Sequence, residues 1–219
     1  FHILTFGYEF NYDWMKDLAP AYDRTINQTT RSNGLYVQDD WSLTERFNLI
    51  LGTRFDKHNL IDKVIISPRV NFLYKLMEDL SVRASVSTGY RAPQAFDEDL
   101  HITQGGGEGV LIRLDENLSP EYSVSFGGSA DYSFHLAEIP MALSLEFFHT
   151  TLSDVFVLVG GGKDENGSLV MIRSNGESAI VAGGTAELQV QFAKNFDFKA
   201  GLTAQSSTYD EQVEIGRAS

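Results

Sequence analysis

A short segment in the middle of the chain brings together side chains that suit a charged ligand. Asp97, Glu98 and Asp99 are consecutive, His101 follows them, and Arg91 precedes them by six positions. Carboxylate oxygens and an imidazole nitrogen are common ligands of divalent cations, and a guanidinium suits an anionic group. The spacing does not repeat as it does in a dedicated metal motif, so we favour an ordinary acidic loop over a metal site. These five side chains are our candidates for ligand contact.

The sequence contains no residue pattern that is typical of an enzyme. No Ser-His-Asp or Cys-His arrangement stands out, and the chain has no cysteine. The adjacent carboxylates at 97–99 and 115–116 lie in segments that we expect to be exposed loops, where they are solvated charges and not a buried acid–base pair. The glycine-rich run 105–109 is not followed by Lys-Ser or Lys-Thr, so it is not a phosphate-binding loop. We therefore predict no enzyme activity and no cofactor.

Composition narrows the class of protein further. The 219 residues carry a formal net charge of −13. This acidity argues against nucleic acid as a partner, because phosphate binding needs a basic surface. The 15 Phe, 9 Tyr and 19 Gly residues weakly favour a membrane β-barrel. Barrel strands need only about 9–11 alternating residues each, so the lack of a long apolar run does not exclude the membrane.

The element that leads into the acidic segment is a strand with two different faces. From Leu80 to Tyr90 every second residue is apolar or Thr, and the residues between them are Ser, Arg or Gly. A period of two places these two sets on opposite faces of a β-strand. Pro93 ends the strand, because it has no N–H to give to a ladder. The same alternation predicts eight more strands, at about 2–14, 35–43, 47–55, 70–76, 121–132, 143–147, 186–192 and 196–204.

The predicted strands separate apolar from charged side chains. We expect one set to face lipid: Phe6, Phe10, Phe72, Val82, Phe126, Leu188 and Phe198. We expect the other set to face an aqueous lumen: Glu9, Arg54, Arg69, Asn71, Arg83 and Glu187. The arginines near this face either contact an anionic ligand or pair with carboxylates such as Glu9 and Asp56. We favour the pairing, because opposite charges on neighbouring strands stabilise a sheet by themselves.

Connections between the predicted strands alternate in length along the chain. Long connections are expected at 15–32, 57–66, 91–117 and 160–167, and short ones near 45, 78, 136 and 194. This alternation places the short turns together at one end of an up-and-down meander, as in a transmembrane barrel. We therefore predict an all-β transmembrane barrel with about nine strands present, and a soluble β-sandwich is the alternative. Because the external loops of such barrels are long, we expect residues 91–117 to lie outside and to contact ligand.

Five short motifs resemble those of a known family. The segment Gly89-Tyr90-Arg91-Ala92-Pro93 resembles the G-[FY]-R-A-P signature in the barrel of TonB-dependent outer-membrane receptors. Residues 36–41 resemble the family's Y-x-Q-D-x-W strand, and residues 51–56 resemble its L-G-x-R-[FY]-D. Residues 67–69 and 117–121 resemble its S-P-R and N-x-x-L-x-P-E motifs. The five motifs follow each other in the family's order.

The resemblance implies a barrel of 22 strands that is filled by an N-terminal plug domain. Residues 1–219 are then part of such a barrel domain, and we expect the plug to lie outside this sequence. The implied function is energy-coupled uptake of a scarce nutrient complex, such as an iron–siderophore, cobalamin, haem or another metal chelate, through the outer membrane of a Gram-negative bacterium. The implied partners are outer-membrane lipid, the plug, the TonB complex and the small-molecule or metal-chelate ligand. A passive porin-like barrel, another outer-membrane barrel or a soluble all-β adhesion module is the alternative.

Overall fold

Most of the residues that the structure describes are in β-strands. The computed structural model describes residues 1–20, 24–95, 103–105, 108–165 and 167–210. Within these residues, no helix is both long enough and apolar enough to cross a bilayer. The strands, in chain order, are β1 (His2–Ala19), β2 (Arg24–Ser42), β3 (Phe47–His58), β4 (Ile65–Lys75), β5 (Leu80–Arg91), β6 (Thr103–Gly105), β7 (Glu108–Leu114), β8 (Glu121–Leu136), β9 (Ile139–Ser153), β10 (Phe156–Lys163), β11 (Leu169–Asn175), β12 (Ser178–Ala193) and β13 (Phe196–Tyr209).

The strands form a large antiparallel sheet and a small mixed sheet. The large sheet, which we call the wall, has the order β1-β2-β3-β4-β5-β8-β9-β12-β13. Each of its strands therefore lies beside the next long strand of the chain, as in an up-and-down meander. The small sheet, which we call the loop sheet, has the order β10-β11-β7-β6. The nine strands predicted from the alternating pattern are the nine strands of the wall.

Short turns close one end of the wall, which we call the turn end. Three of these turns comprise residues 43–46, 76–79 and 194–195. Between β8 and β9 the turn consists of Ala137 and Glu138, which both have positive φ, at 49° and 66°. This is the backbone of a type I′ turn, whose twist matches that of the strands it joins. The opposite end, the loop end, carries the two long connections at 92–120 and 154–177.

The register of the wall sorts side chains onto two faces, because directly paired residues of neighbouring strands share a face. One face, the apolar face, carries Phe6, Phe10, Phe72, Val82, Phe126, Leu188 and Phe198. The other, the polar face, carries Glu9, Arg54, Arg69, Asn71, Arg83 and Glu187. The two predicted sets therefore lie on opposite sides of one continuous sheet.

The apolar face is open in the described structure. Phe6 is 81% exposed, Trp14 62% and Leu202 74%. A soluble β-sandwich buries such a face against a second sheet about 10 Å away. A long sheet that leaves large apolar side chains uncovered instead suits lipid, because contact between apolar side chains and hydrocarbon avoids the unfavourable exposure to water.

The polar segment at 15–32 is not the irregular loop that its composition predicted. Beyond the last β2–β3 pair, Ser32↔His58, the ladder between β1 and β2 continues to Ala19↔Arg24. Side chains reinforce this extension, since Trp14 Nε1 donates to Asn27 Oδ1 at 3.2 Å. The prediction was wrong because these residues lack an apolar face. A hairpin that continues past the rest of the sheet extends a ladder that the sheet already anchors, so it forms without that alternation.

The predictions of irregular loops at 91–117 and 160–167 were also partly wrong. Each long connection contributes two strands to the loop sheet, β6 and β7 from the first and β10 and β11 from the second. The two connections join through a parallel ladder that runs from Val110↔Leu169 to Leu114↔Arg173. Such pairing between distant segments leaves no period in the sequence. Gly161 lies where a Cβ atom would come within 2.9 Å of Ile172, so a glycine there serves close packing and not a mobile loop.

Candidate functional site

An ion-pair cluster on the polar face joins β1 to β3 across the intervening β2. Arg54 Nη1 donates to Glu9 Oε2 at 2.7 Å, and Arg54 Nε lies 2.8 Å from both carboxylate oxygens of Asp56. Asn11 donates to the other oxygen of Glu9 at 2.7 Å. Asp56 is only 3% exposed, so Arg54 supplies the countercharge that a buried carboxylate requires. Pairing within the wall, and not a free guanidinium, is therefore the state of Arg54.

Two further ion pairs lie on the polar face. Arg83 Nη1 pairs with Asp131 Oδ2, and Ser144 Oγ donates to the other oxygen of Asp131 at 2.6 Å. Lys199 Nζ lies 2.7 Å from Glu187 Oε1. Both pairs connect neighbouring strands, β5 with β8 and β12 with β13. The structure thus favours the pairing alternative for Arg83 as well.

The remaining predicted polar-face residues line open space. Arg69 donates to Gln38, which lies on β2 across the intervening β3. Asn71 lies beside a groove of about 500 Å³ that also contacts Asp40 and Phe148. The groove runs along the polar face from β2 to β9. Small residues such as Ser85, Gly127 and Ser129 form part of its lining and leave room for it.

At the loop end, the chain that leaves β5 turns back across the polar face. After Arg91, the backbone N–H of Ala95 donates to Gln28 Oε1 of β2 at 2.8 Å. Ala95 is 2% exposed and His58 of β3 is 6% exposed. The beginning of the first long connection is therefore fixed over the wall and does not extend freely from it.

This crossing borders an open polar cavity of about 320 Å³. Residues from β1, β2, β3 and β5 and from the crossing segment line it, among them Asn11, Asp13, Thr30, His58, Arg91 and Gln94. The lining combines a guanidinium, two amides, a carboxylate, three hydroxyls and an imidazole. Such a set offers both hydrogen-bond donors and acceptors to a polar ligand.

The cavity borders the base of the loop sheet. The Arg91 guanidinium carbon lies 5.6 Å from the centre of the Phe156 ring, at the first residue of β10. The backbone N–H of Phe156 donates to Glu121 Oε2 of β8 at 3.0 Å. A guanidinium over an aromatic face is attractive, so Arg91 connects the wall to the loop sheet.

Four of the predicted ligand contacts, Asp97, Glu98, Asp99 and His101, lie outside the described residues. Among the residues that the structure does describe, no group of three or more His, Asp or Glu side chains is placed to hold a metal ion. Arg91 lies at the cavity, and its role in binding ligand stays a prediction.

Sequence reasoning missed three residues that organise the loop end. Gln28 lies in the segment that was predicted to be a loop, and its partner Ala95 is 67 positions away. Phe156 and Asn175 lie outside every motif that resembled the known family. The sequence held no signal for them, because their importance comes from contacts between distant segments.

Comparisons with known proteins agree with this architecture. The family model described as "TonB dependent receptor-like, beta-barrel" matches residues 1–218. The chain is 29% identical over 222 aligned positions to the iron-regulated outer membrane virulence protein of Vibrio cholerae serotype O1. The alignment covers 96% of this chain and 32% of that protein.

Solved structures show the same fold. The siderophore receptor PirA from Pseudomonas aeruginosa superposes with a TM-score of 0.82 at 23% identity, over 95% of this chain and 40% of that one. A ferric enterobactin receptor from Pseudomonas aeruginosa, PfeA, solved in complex with enterobactin, gives a TM-score of 0.73 at 19% identity, over 93% of this chain and 33% of that one. The chain thus spans about a third of the length of the relatives it matches.

The family accounts for both faces of the wall. Its members are outer-membrane barrels and transport receptors, not enzymes. An uncovered apolar face, an ion-paired polar face and an up-and-down order of long strands are what such a barrel requires. This chain belongs to the TonB-dependent receptor β-barrel family.

Proposed function

We propose that this chain forms part of a receptor that takes up a ferric siderophore through the outer membrane, with energy supplied by TonB. The polar cavity at the loop end carries the proposal, because it lies beside a preformed loop sheet and presents convergent hydrogen-bonding groups. The names of the relatives support the choice of ligand, since they describe iron regulation and siderophore reception. The plug and the TonB-contacting segment belong to the remaining two-thirds of the receptor.

The proposal orients the wall in the membrane. The apolar face contacts lipid, and the polar face lines the lumen, where the ion pairs of Arg54 and Arg83 remain hydrated on one side. The turn end faces the periplasm and the loop end faces the outside, because barrel turns are short on the periplasmic side. Residues 1–219 then form one part of a barrel domain that further strands complete.

Ligand capture takes place at the loop end. A ferric siderophore presents oxygen atoms around its iron, and guanidinium and amide N–H groups recognise such acceptors. Arg91, Asn11 and Gln94 point to this role from the cavity lining. We propose that the acidic segment Asp97 to Asp99 and His101 completes the contacts, since it follows the crossing segment by one residue.

An uptake measurement tests the function. The gene for the whole receptor is deleted in a strain that lacks its other iron receptors, and accumulation of ⁵⁵Fe is followed with ferric enterobactin and with ferrichrome. The proposal predicts energy-dependent uptake of at least one chelate, which is lost in the deletion strain and in a strain without TonB. Uptake that persists without TonB identifies a passive pore and contradicts the proposal.

A binding measurement tests the site. Arg91→Ala in the intact receptor should raise the Kd for the transported chelate about tenfold, the usual effect of losing one hydrogen bond to a charged group. Arg46→Ala, at the turn end, is the matched control and should leave the Kd unchanged. The triple variant Asp97→Asn, Glu98→Gln and Asp99→Asn tests the acidic segment. If Arg91→Ala and the triple variant both bind the chelate with the Kd of the wild type, the loop end is not part of the binding site.

A further inference from the structure

The two long connections are joined at their base by one side-chain amide. Asn175 Oδ1 accepts from the backbone N–H of Ser119 at 2.8 Å and from Ser119 Oγ at 3.0 Å. Asn175 Nδ2 donates to the backbone oxygen of Ser119 at 3.0 Å and to that of Asp154 at 2.7 Å. Ser119 belongs to the first connection, and Asn175 and Asp154 belong to the second. The amide thus satisfies both backbone groups of a residue 56 positions away.

The amide of Asn175 continues a backbone ladder that has ended. The parallel pairing of β7 with β11 stops at Leu114↔Arg173, and the N–H of Asp115 makes the final backbone bond, to the oxygen of Arg173 at 2.9 Å. The first connection then turns away before it reaches β8. An asparagine side chain has the donor and acceptor of a peptide group, so Asn175 replaces the missing backbone partner at Ser119.

The loop sheet needs this bond more than the wall needs any single bond. The strands that meet in it, β7 and β11, have seven residues each, and a parallel ladder is slightly weaker per residue than an antiparallel one. Small sheets are marginal without additional packing, and here the buried side chains of Leu111 and Val170 supply part of it. Three of the four hydrogen bonds of Asn175 cross to Ser119, so the bridge adds three bonds between the connections to those of a short parallel ladder.

We infer that Asn175 joins the two long connections into one body, and that ligand is captured by both connections acting together. Asn175 is a positioning residue, because it holds the two connections together beside the cavity without lining the cavity itself. The effect of Asn175 on ligand capture rests on the proposed function. The structural coupling between the two connections is independent of that function.

Hydrogen exchange in the intact receptor tests the coupling. Asn175→Ala should speed exchange about tenfold or more in 169–175 and also in 108–114, which belongs to the other connection. Asn117→Ala is the matched control, because Asn117 is an exposed asparagine in the first connection and only its backbone N–H takes part in the Asp115 turn. Ser119→Ala removes one of the four bonds and should have a smaller effect. Faster exchange in 169–175 alone would show that the connections are independent and would overturn the inference.

An engineered disulfide between β7 and β11 provides a second, independent test of the coupling. Val110 and Leu169 are direct partners in the parallel ladder, so Val110→Cys with Leu169→Cys should restore protection to the Asn175→Ala protein. The Kd for ferric enterobactin or ferrichrome, whichever the wild type transports, should rise about tenfold in Asn175→Ala and recover on oxidation. Failure of the disulfide to restore affinity while it restores protection contradicts the role in capture. If the wild-type receptor binds neither chelate, the proposed function fails, and the exchange result still decides the coupling.

Discussion

The wall and the loop sheet are both β-sheets, yet different interactions build them. Every ladder of the wall is antiparallel and joins strands that follow each other along the meander. The loop sheet contains a parallel ladder between two separate connections, and a side-chain amide completes it. The wall has one apolar and one charged face, both largely open, whereas the loop sheet buries apolar side chains such as Leu111 and Val170.

The bilayer constrains the structure of the wall, whereas particular side-chain contacts determine the structure of the loop end. A bilayer demands one apolar face and a backbone whose hydrogen bonds are all satisfied, and it demands them along the whole length of each strand. The loop end faces no such demand, so its structure depends on particular contacts such as Glu121 with Phe156. The wall should therefore tolerate changes on the polar face better than on the apolar one.

A charge in the middle of the apolar face should have the largest effect. Val86 lies near the centre of β5, between Val70 and Phe126, and is 40% exposed. Val86→Arg in the intact receptor should lower the free energy of unfolding in lipid vesicles by about 2–4 kcal/mol, because an arginine at mid-depth must enter hydrocarbon. Ser85→Arg, its neighbour on the polar face, should cost much less. Equal costs at the two positions would mean that neither face of the wall contacts lipid.

The ion pairs of the polar face should differ in how much they stabilise the fold, with the buried pair contributing more than the exposed one. Arg54→Ala leaves the buried Asp56 carboxylate without its countercharge and should lower the free energy of unfolding by about 2–3 kcal/mol. Lys199→Ala breaks a pair whose side chains are 62% and 35% exposed, and should cost at most about 1 kcal/mol. Urea titration of both variants in vesicles measures the difference. A larger cost for Lys199→Ala would contradict the assignment of Arg54 as a structural residue of the wall.

Two glycines, Gly183 of the wall and Gly160 of the loop sheet, should differ in how well they tolerate a side chain. A Cβ atom at Gly183 of β12 would lie 2.6 Å from the Ala204 backbone oxygen, whereas one at Gly160 of β10 would meet no atom within 4 Å. Gly183→Ala should therefore cost about 1–3 kcal/mol through overpacking, and Gly160→Ala less than about 0.5 kcal/mol. The same vesicle titration compares them, and similar costs would show that the wall adapts as freely as the loop sheet does.

The wall could be predicted because a strand with lipid on one face and water on the other alternates apolar and polar residues along the sequence. The alternation from Leu80 to Tyr90 placed β5 and its faces, and the short turns gave the meander order. The sequence could not predict the extension of β1 and β2, since residues above the membrane lose the alternation while their backbone ladder continues. Apolar runs such as 110–112 fit a buried strand, a helix or a loop equally well.

The site was less predictable than the fold. Arg91 was identified from its type and from the motif around it, and it does lie at the loop-end cavity. Gln28 and Asn175 act on partners 67 and 56 positions away, and single polar residues carry no pattern that reveals such a partner. Long-range hydrogen bonds of this kind appear only when the backbone is placed.

The central claim is that the loop end lies outside the cell and the turn end inside the envelope, and site-directed labelling tests it most directly. Single cysteines replace Glu165, at the exposed turn of the loop sheet, and Glu78, in the turn between β4 and β5, in an intact receptor without other cysteines. On whole cells, a membrane-impermeant maleimide should label Glu165→Cys and should leave Glu78→Cys unlabelled until the outer membrane is opened. Labelling of Glu78→Cys without labelling of Glu165→Cys would invert the wall and contradict the account.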